Sequence, residues 1–81
     1  MNNPGIVDML NNLELADESY GEDESYMLVD ITDEVVNEFE AWGYVRADLE
    51  KYGDEDSFCV LAFAADKGYA NYVKGGKLIP V

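Results

Sequence analysis

Ile6, Met9, Leu10 and Leu13 recur at spacings of three and four, the repeat of one helical face. Asn3-Pro4 ahead of them suits a helix start, since Asn accepts from free backbone N–H groups and Pro has none to leave unpaired. The pattern predicts a short helix that ends near Leu15. Tyr26 to Ile31 alternates instead and is β-prone, which predicts a strand with Met27, Val29 and Ile31 facing the core. Thr32 then reads as a helix N-cap, with Asp33 and Glu34 in the first turn where the helix dipole favours negative charge. Val35, Val36, Phe39 and Trp42 mark the packed side of that helix. Gly43 suits the left-handed position at its end, with Tyr44 folding back onto Phe39. Val45, Leu49 and Tyr52, with Arg46 and Glu50 one turn apart, predict a second helix over Tyr44 to Tyr52 that Gly53 stops.

Phe58 to Ala64 is apolar on both faces, as the middle strand of a covered sheet would be; a run of this length also suits a buried helix. Taken as a strand, it is joined to Tyr69–Val73 by Asp66-Lys67-Gly68, a three-residue hairpin loop with Gly at the left-handed position. Lys74-Gly75-Gly76-Lys77 supplies a second tight turn into Leu78–Val81, where Pro80 lacks a ladder donor and fits only an edge. Ala16 to Ser25 reads as an exposed loop and Asp54 to Ser57 as an acidic turn. Together these segments predict an α+β fold: one small domain over residues 1–81, an antiparallel sheet of three to four strands ending in a C-terminal β-meander, and two to three short helices. The chain shows no internal repeat or linker.

Composition supports a folded domain with a thin core. Nearly half of the 81 residues are apolar and ten are aromatic, too many for a disordered acidic tail. A chain of this length buries only roughly 60 per cent of the surface its unfolded form exposes. Cys59 is the only cysteine, so no internal disulfide forms, and its apolar neighbours predict a buried thiol; both favour an intracellular protein. The start lacks the basic and apolar regions of a secretory signal, and no apolar stretch approaches the ~18 residues that span a bilayer. The expected location is the cytoplasm, or the host cytoplasm for a phage-encoded chain.

Charge changes the picture most. Residues 1–45 hold twelve acidic side chains and no Lys or Arg, whereas from Arg46 onward six acids face five bases. Most of the formal −13 therefore belongs to one half of the chain. Such a surface repels nucleic acid and anionic membrane and attracts basic protein surfaces from a distance. Five bases cannot neutralise a run of phosphates, so direct nucleic-acid binding is not expected.

Catalytic chemistry finds little support. The chain has no His, one Cys and no phosphate-binding glycine pattern. An EF-hand loop opened at Asp17 would need Gly sixth and Glu twelfth, but Glu22 and Leu28 stand there. Paired carboxylates of glycosidase type need a cleft that a chain this short can hardly enclose. No enzyme activity and no cofactor are expected.

Carboxylates at i and i+4 on a helix lie ~6 Å apart, comparable to phosphates along a DNA strand. Glu34 and Glu38, extended by Asp30, Asp33 and Glu40 and continued by Asp17, Glu18, Glu22, Asp23 and Glu24, form the candidate partner-binding set. Tyr20, Tyr26 and Trp42 are candidate aromatic anchors. In charge, size and cysteine economy the chain resembles, as a type, the small acidic proteins that phages and mobile elements use against host defence. These include DNA-mimicking inhibitors of restriction enzymes, DNA-repair glycosylases and CRISPR effectors. That resemblance implies a non-enzymatic inhibitor covering the basic surface of a nucleic-acid-binding protein; no motif assigns the chain to one such family, and no residues carry over. The alternatives are an immunity protein or antitoxin against a basic nuclease toxin, a domain whose acids serve solubility only, and an interaction module that pairs, as a homodimer or otherwise, through the edge strand Leu78–Val81 or an exposed aromatic patch.

Overall fold

Alanine gains nothing from a pleated surface but is the strongest helix former. Ala62, Ala64 and Ala65 accordingly break the apolar run 58–65 into two elements. In the computed structural model, which describes residues 4–21 and 24–81, a three-residue strand gives way at Val60 to a helix. The element order is α1 (Pro4–Asn11), β1 (Asp17–Tyr20), β2 (Ser25–Asp30), α2 (Asp33–Glu40), α3 (Arg46–Glu50), β3 (Ser57–Cys59), α4 (Val60–Lys67), β4 (Ala70–Lys74) and β5 (Lys77–Pro80). The fold is α+β, as the sequence predicts, with two antiparallel sheets ordered β1-β2-β3 and β4-β5.

The helix at 60–67 corrects the strand reading. As a strand, the run would need cover on both faces. As a helix it buries Val60, Phe63 and Ala64 on one face and leaves Ala65, Asp66 and Lys67 in solvent. Gly68 is left-handed (φ 76°), but it caps α4 rather than turning a hairpin: Tyr69 N–H donates to the Ala64 carbonyl at 2.9 Å. The C-terminal strands therefore form a separate two-stranded hairpin rather than a meander. Its turn is the expected one, with both Gly75 and Gly76 at positive φ.

The acidic segment expected as a loop contains strand β1, all four of whose residues are exposed. Elsewhere the periodicity holds. Met27, Val29 and Ile31 are buried, and Thr32 Oγ1 accepts from Val35 N–H at 3.2 Å. Gly43 (φ 89°) lets Tyr44 N–H reach the Phe39 carbonyl at 3.1 Å. Val7 is buried in α1 while Met9 is only half-buried. Asn3 lies outside the described residues. Trp42 and Val45, expected on packed sides, are 47% and 54% exposed. Cys59, expected buried, is half-buried, because it sits opposite Leu28 on the outward face of its sheet.

Phe63 is the centre of the core. Its ring meets Phe39, Tyr44, Tyr52 and Phe58 edge to face at centroid distances of 5.3, 5.1, 5.4 and 6.4 Å. These four partners come from α2, the α2–α3 connection, the segment after α3, and β3, so one side chain ties the middle of the chain together. The two sheets share this core through Met27 and Val29 on one side and Ala70 and Leu78 on the other.

The outer edge of β5 is not open. Leu78 and Val73 form a pair whose backbone groups face away from each other, and the Asn11 side chain takes both groups of Leu78. Asn11 Oδ1 accepts from Leu78 N–H at 2.8 Å, and Asn11 Nδ2 donates to the Leu78 carbonyl at 3.1 Å. Strand pairing through Leu78–Val81 would have to displace this amide.

Candidate functional site

Four carboxylates converge where the chain leaves α1, ends β2 and enters α2. Asp30 is the last residue of β2, Thr32 caps the next helix, and Glu34 and Glu38 follow one turn apart on it. Glu14 comes from the connection after α1. Together they line a groove of about 460 Å³ whose apolar share includes Leu13 and Val35. No Lys or Arg lines it. Among the described residues the ion pairs are Arg46–Glu50 at 3.1 Å and Lys51–Asp48 at 4.0 Å, both on or next to α3. Among the described residues the groove carboxylates therefore have no cationic partner within that range.

The candidate set from the sequence is gathered only in part. Asp30, Glu34 and Glu38 share the groove, and Glu14 joins them. Nothing in the linear pattern marks Glu14, whose place depends on the path of the chain after α1. Asp33 and Glu40 are exposed on α2 but do not line the groove. Asp17 and Glu18 are neighbours on β1 and so point to opposite faces of its sheet. Glu24 stands just before β2, while Glu22 and Asp23 lie outside the described residues.

The hairpin acids leave a local signature on tyrosines. Asp17 accepts from the Tyr26 hydroxyl at 3.2 Å, and its charge is the main reason the Tyr26 pKa is raised. The Tyr20 pKa is raised by partial burial first and then by Glu18. Tyr20 is 42% exposed and Trp42 lies half-open over Gly5, where an added Cβ would stand 3.1 Å from the indole. Tyr26, the third candidate anchor, is half-buried.

Other polar contacts serve the frame. Asp54 accepts from Asp56 N–H at 2.8 Å and Ser57 N–H at 3.0 Å, and these two bonds hold its carboxyl below the usual range. Tyr44 and Tyr69 share a hydrogen bond between their hydroxyls, and burial followed by that bond pushes the Tyr44 pKa up to about 12. Among the described residues, no group of three acidic or thiol side chains is placed to hold a metal ion. No helix among them is long and apolar enough to cross a membrane. Comparison with known proteins finds no matching family model, curated protein or solved structure.

Proposed function

We propose that this protein is a non-enzymatic acidic inhibitor that docks into the basic, nucleic-acid-binding surface of another protein. The observation that carries the reading is the groove of Glu14, Asp30, Glu34 and Glu38, four acids from three parts of the fold with no basic side chain among them. Solubility alone does not ask for such convergence, since dispersed charge serves it as well. Glu34 and Glu38 stand ~6 Å apart along α2 and act as surrogates for successive phosphates. Asp30 and Glu14 broaden the negative field, and the half-exposed Trp42, which does not line the groove, offers apolar area to an interface. The partner supplies Lys and Arg that would otherwise meet a nucleic-acid backbone.

Immobilised protein challenged with bacterial lysate and eluted by a salt gradient tests this reading. Nucleases or other DNA-handling proteins should elute as ionic strength rises, because long-range attraction governs the association rate and is screened by salt. Recovery of no specific protein, or of partners indifferent to salt, would count against it.

A further inference from the structure

Residues of both sheets, Glu18 and Tyr20 of β1, Ser25 of β2 and Val73 of β4, line one cleft. Strand β1 pairs with β2 in the register Asp17↔Leu28 to Tyr20↔Ser25, and Gly21 N–H donates to the Glu24 carbonyl at 2.8 Å. That bond fixes the phase of the ladder. Gly21, Ser19 and Asp17 direct their main-chain groups towards β2, so those of Glu18 and Tyr20 point outward. On the other sheet Leu78 gives its outward groups to Asn11, which means that its partner Val73 faces away on the β4 side. Glu18, Tyr20 and Val73 all line one cleft of about 520 Å³ between the β1–β2 hairpin and the Gly75-Gly76 turn. Among the described residues, no backbone bond reaches the outward groups of Tyr20 or Val73. Glu18 N–H is shielded only by the neighbouring Asp17 carboxylate at 2.9 Å.

We propose that this cleft takes an extended, lysine- or arginine-bearing segment of a partner as an added strand, with main-chain hydrogen bonds to Glu18 and Tyr20 and to Val73 on the opposite wall. Charge selects the occupant. A second copy of this chain would set Asp17 and Glu18 against their own kind on an edge whose strand has no base at all. A basic strand meets those acids favourably and frees the Asp17 carboxylate from Glu18 N–H. Lys74 and Lys77 flank the turn but do not line the cleft. The inference concerns a different face from the acidic groove and stands or falls apart from it.

Amide-resolved NMR of the full chain tests it, titrated with an acetylated hexapeptide alternating lysine and valine and, separately, with one alternating glutamate and valine. The basic peptide should shift the amides of Glu18, Tyr20 and Val73 and slow their solvent exchange, while the acidic peptide should not. Tyr20→Pro removes an outward donor without touching the ladder to β2. It should weaken binding about tenfold, as the loss of one main-chain hydrogen bond. Tyr20→Phe should bind like the parent, and Glu34→Gln with Glu38→Gln should leave this binding unchanged. Should Tyr20→Pro disturb the fold, the exchange protection in the parent protein decides. Absent binding, equal binding of the acidic peptide, shifts confined to the Glu34 and Glu38 groove, or indifference to a folded Tyr20→Pro would overturn the proposal.

Discussion

Gly53 tolerates no side chain. A Cβ there would stand 2.2 Å from the Ser57 carbonyl oxygen and 2.7 Å from the Phe58 Cα, both backbone atoms that cannot step aside cheaply. Gly53→Ala should therefore cost about 2–3 kcal/mol, read as a lowered urea midpoint; an unchanged midpoint would show that the 53–58 bridge is not as close as described. Asn11 is the opposite case, a side chain that completes someone else's strand. Asn11→Ala leaves both Leu78 backbone groups without their protein partner and should cost about 1–3 kcal/mol, whereas a surface Asn of no consequence would cost almost nothing. Neither role is visible in the string of letters. Gly53 resembles any helix-stopping glycine, and Asn11 gains its meaning only when a strand 67 positions later comes alongside.

Titration of Tyr44 gives a further handle. Its folded pKa stands at about 12 against an ordinary value of 10.0. The neutral ring is therefore favoured by folding; that contribution is whole below pH ~10 and is lost as pH climbs towards ~12. Alkaline unfolding followed by circular dichroism, together with tyrosinate absorbance, should show a steep loss across that window that Tyr44→Phe makes shallower. Equal steepness in the two proteins would separate Tyr44 from the transition.

Among the elements, α2 was the most legible. Its cap at Thr32, acidic first turn, buried Phe39 and left-handed Gly43 were all written in local chemistry, because each depends on residues within one or two turns. The run 58–65 was not. Periodicity cannot separate a doubly buried strand from a short buried helix, and only alanine content favoured the helix that forms. Strand β1 was hidden for a related reason: an edge strand with no buried residue has no hydrophobic alternation to betray it. In the candidate site, Glu34 and Glu38 were legible from their spacing. Only proximity in sequence suggests their meeting with Asp30, and nothing local marks Glu14, which tertiary folding alone brings there. Like charges one turn apart oppose the helix that carries them, so Glu38→Gln, which spares Glu34 at the dipole-favoured first turn, should raise the melting temperature at low salt, by the equivalent of about 0.2–0.5 kcal/mol. A fall in melting temperature would mean that this carboxylate supports the fold rather than burdens it.

Across the molecule as a whole, charge divides between the two halves of the chain but the core does not. Residues from Arg46 onward supply Phe63, Tyr52 and Phe58 and carry every Lys and Arg, while the first 45 add Phe39 and Tyr44 to the same cluster and hold most of the negative charge. That charge is not one ridge. Glu14, Asp30, Glu34 and Glu38 line the groove, Asp33 and Glu40 lie on α2 outside it, and Asp17 and Glu18 lie on β1. Glu14, Asp30, Glu34 and Glu38 are exposed and none belongs to the buried core, so acids in the groove can be neutralised without emptying it. Competition on a captured partner tests the inhibitor reading most directly. Its complex with this protein is titrated with duplex DNA, for the parent and for the Asp30→Asn, Glu34→Gln, Glu38→Gln variant. The account predicts that DNA displaces the parent from the shared basic surface and that the variant binds at least about tenfold more weakly, a coupling of the size that close interfacial charges show. A ternary complex with DNA still bound, or a folded variant with undiminished affinity, would contradict it.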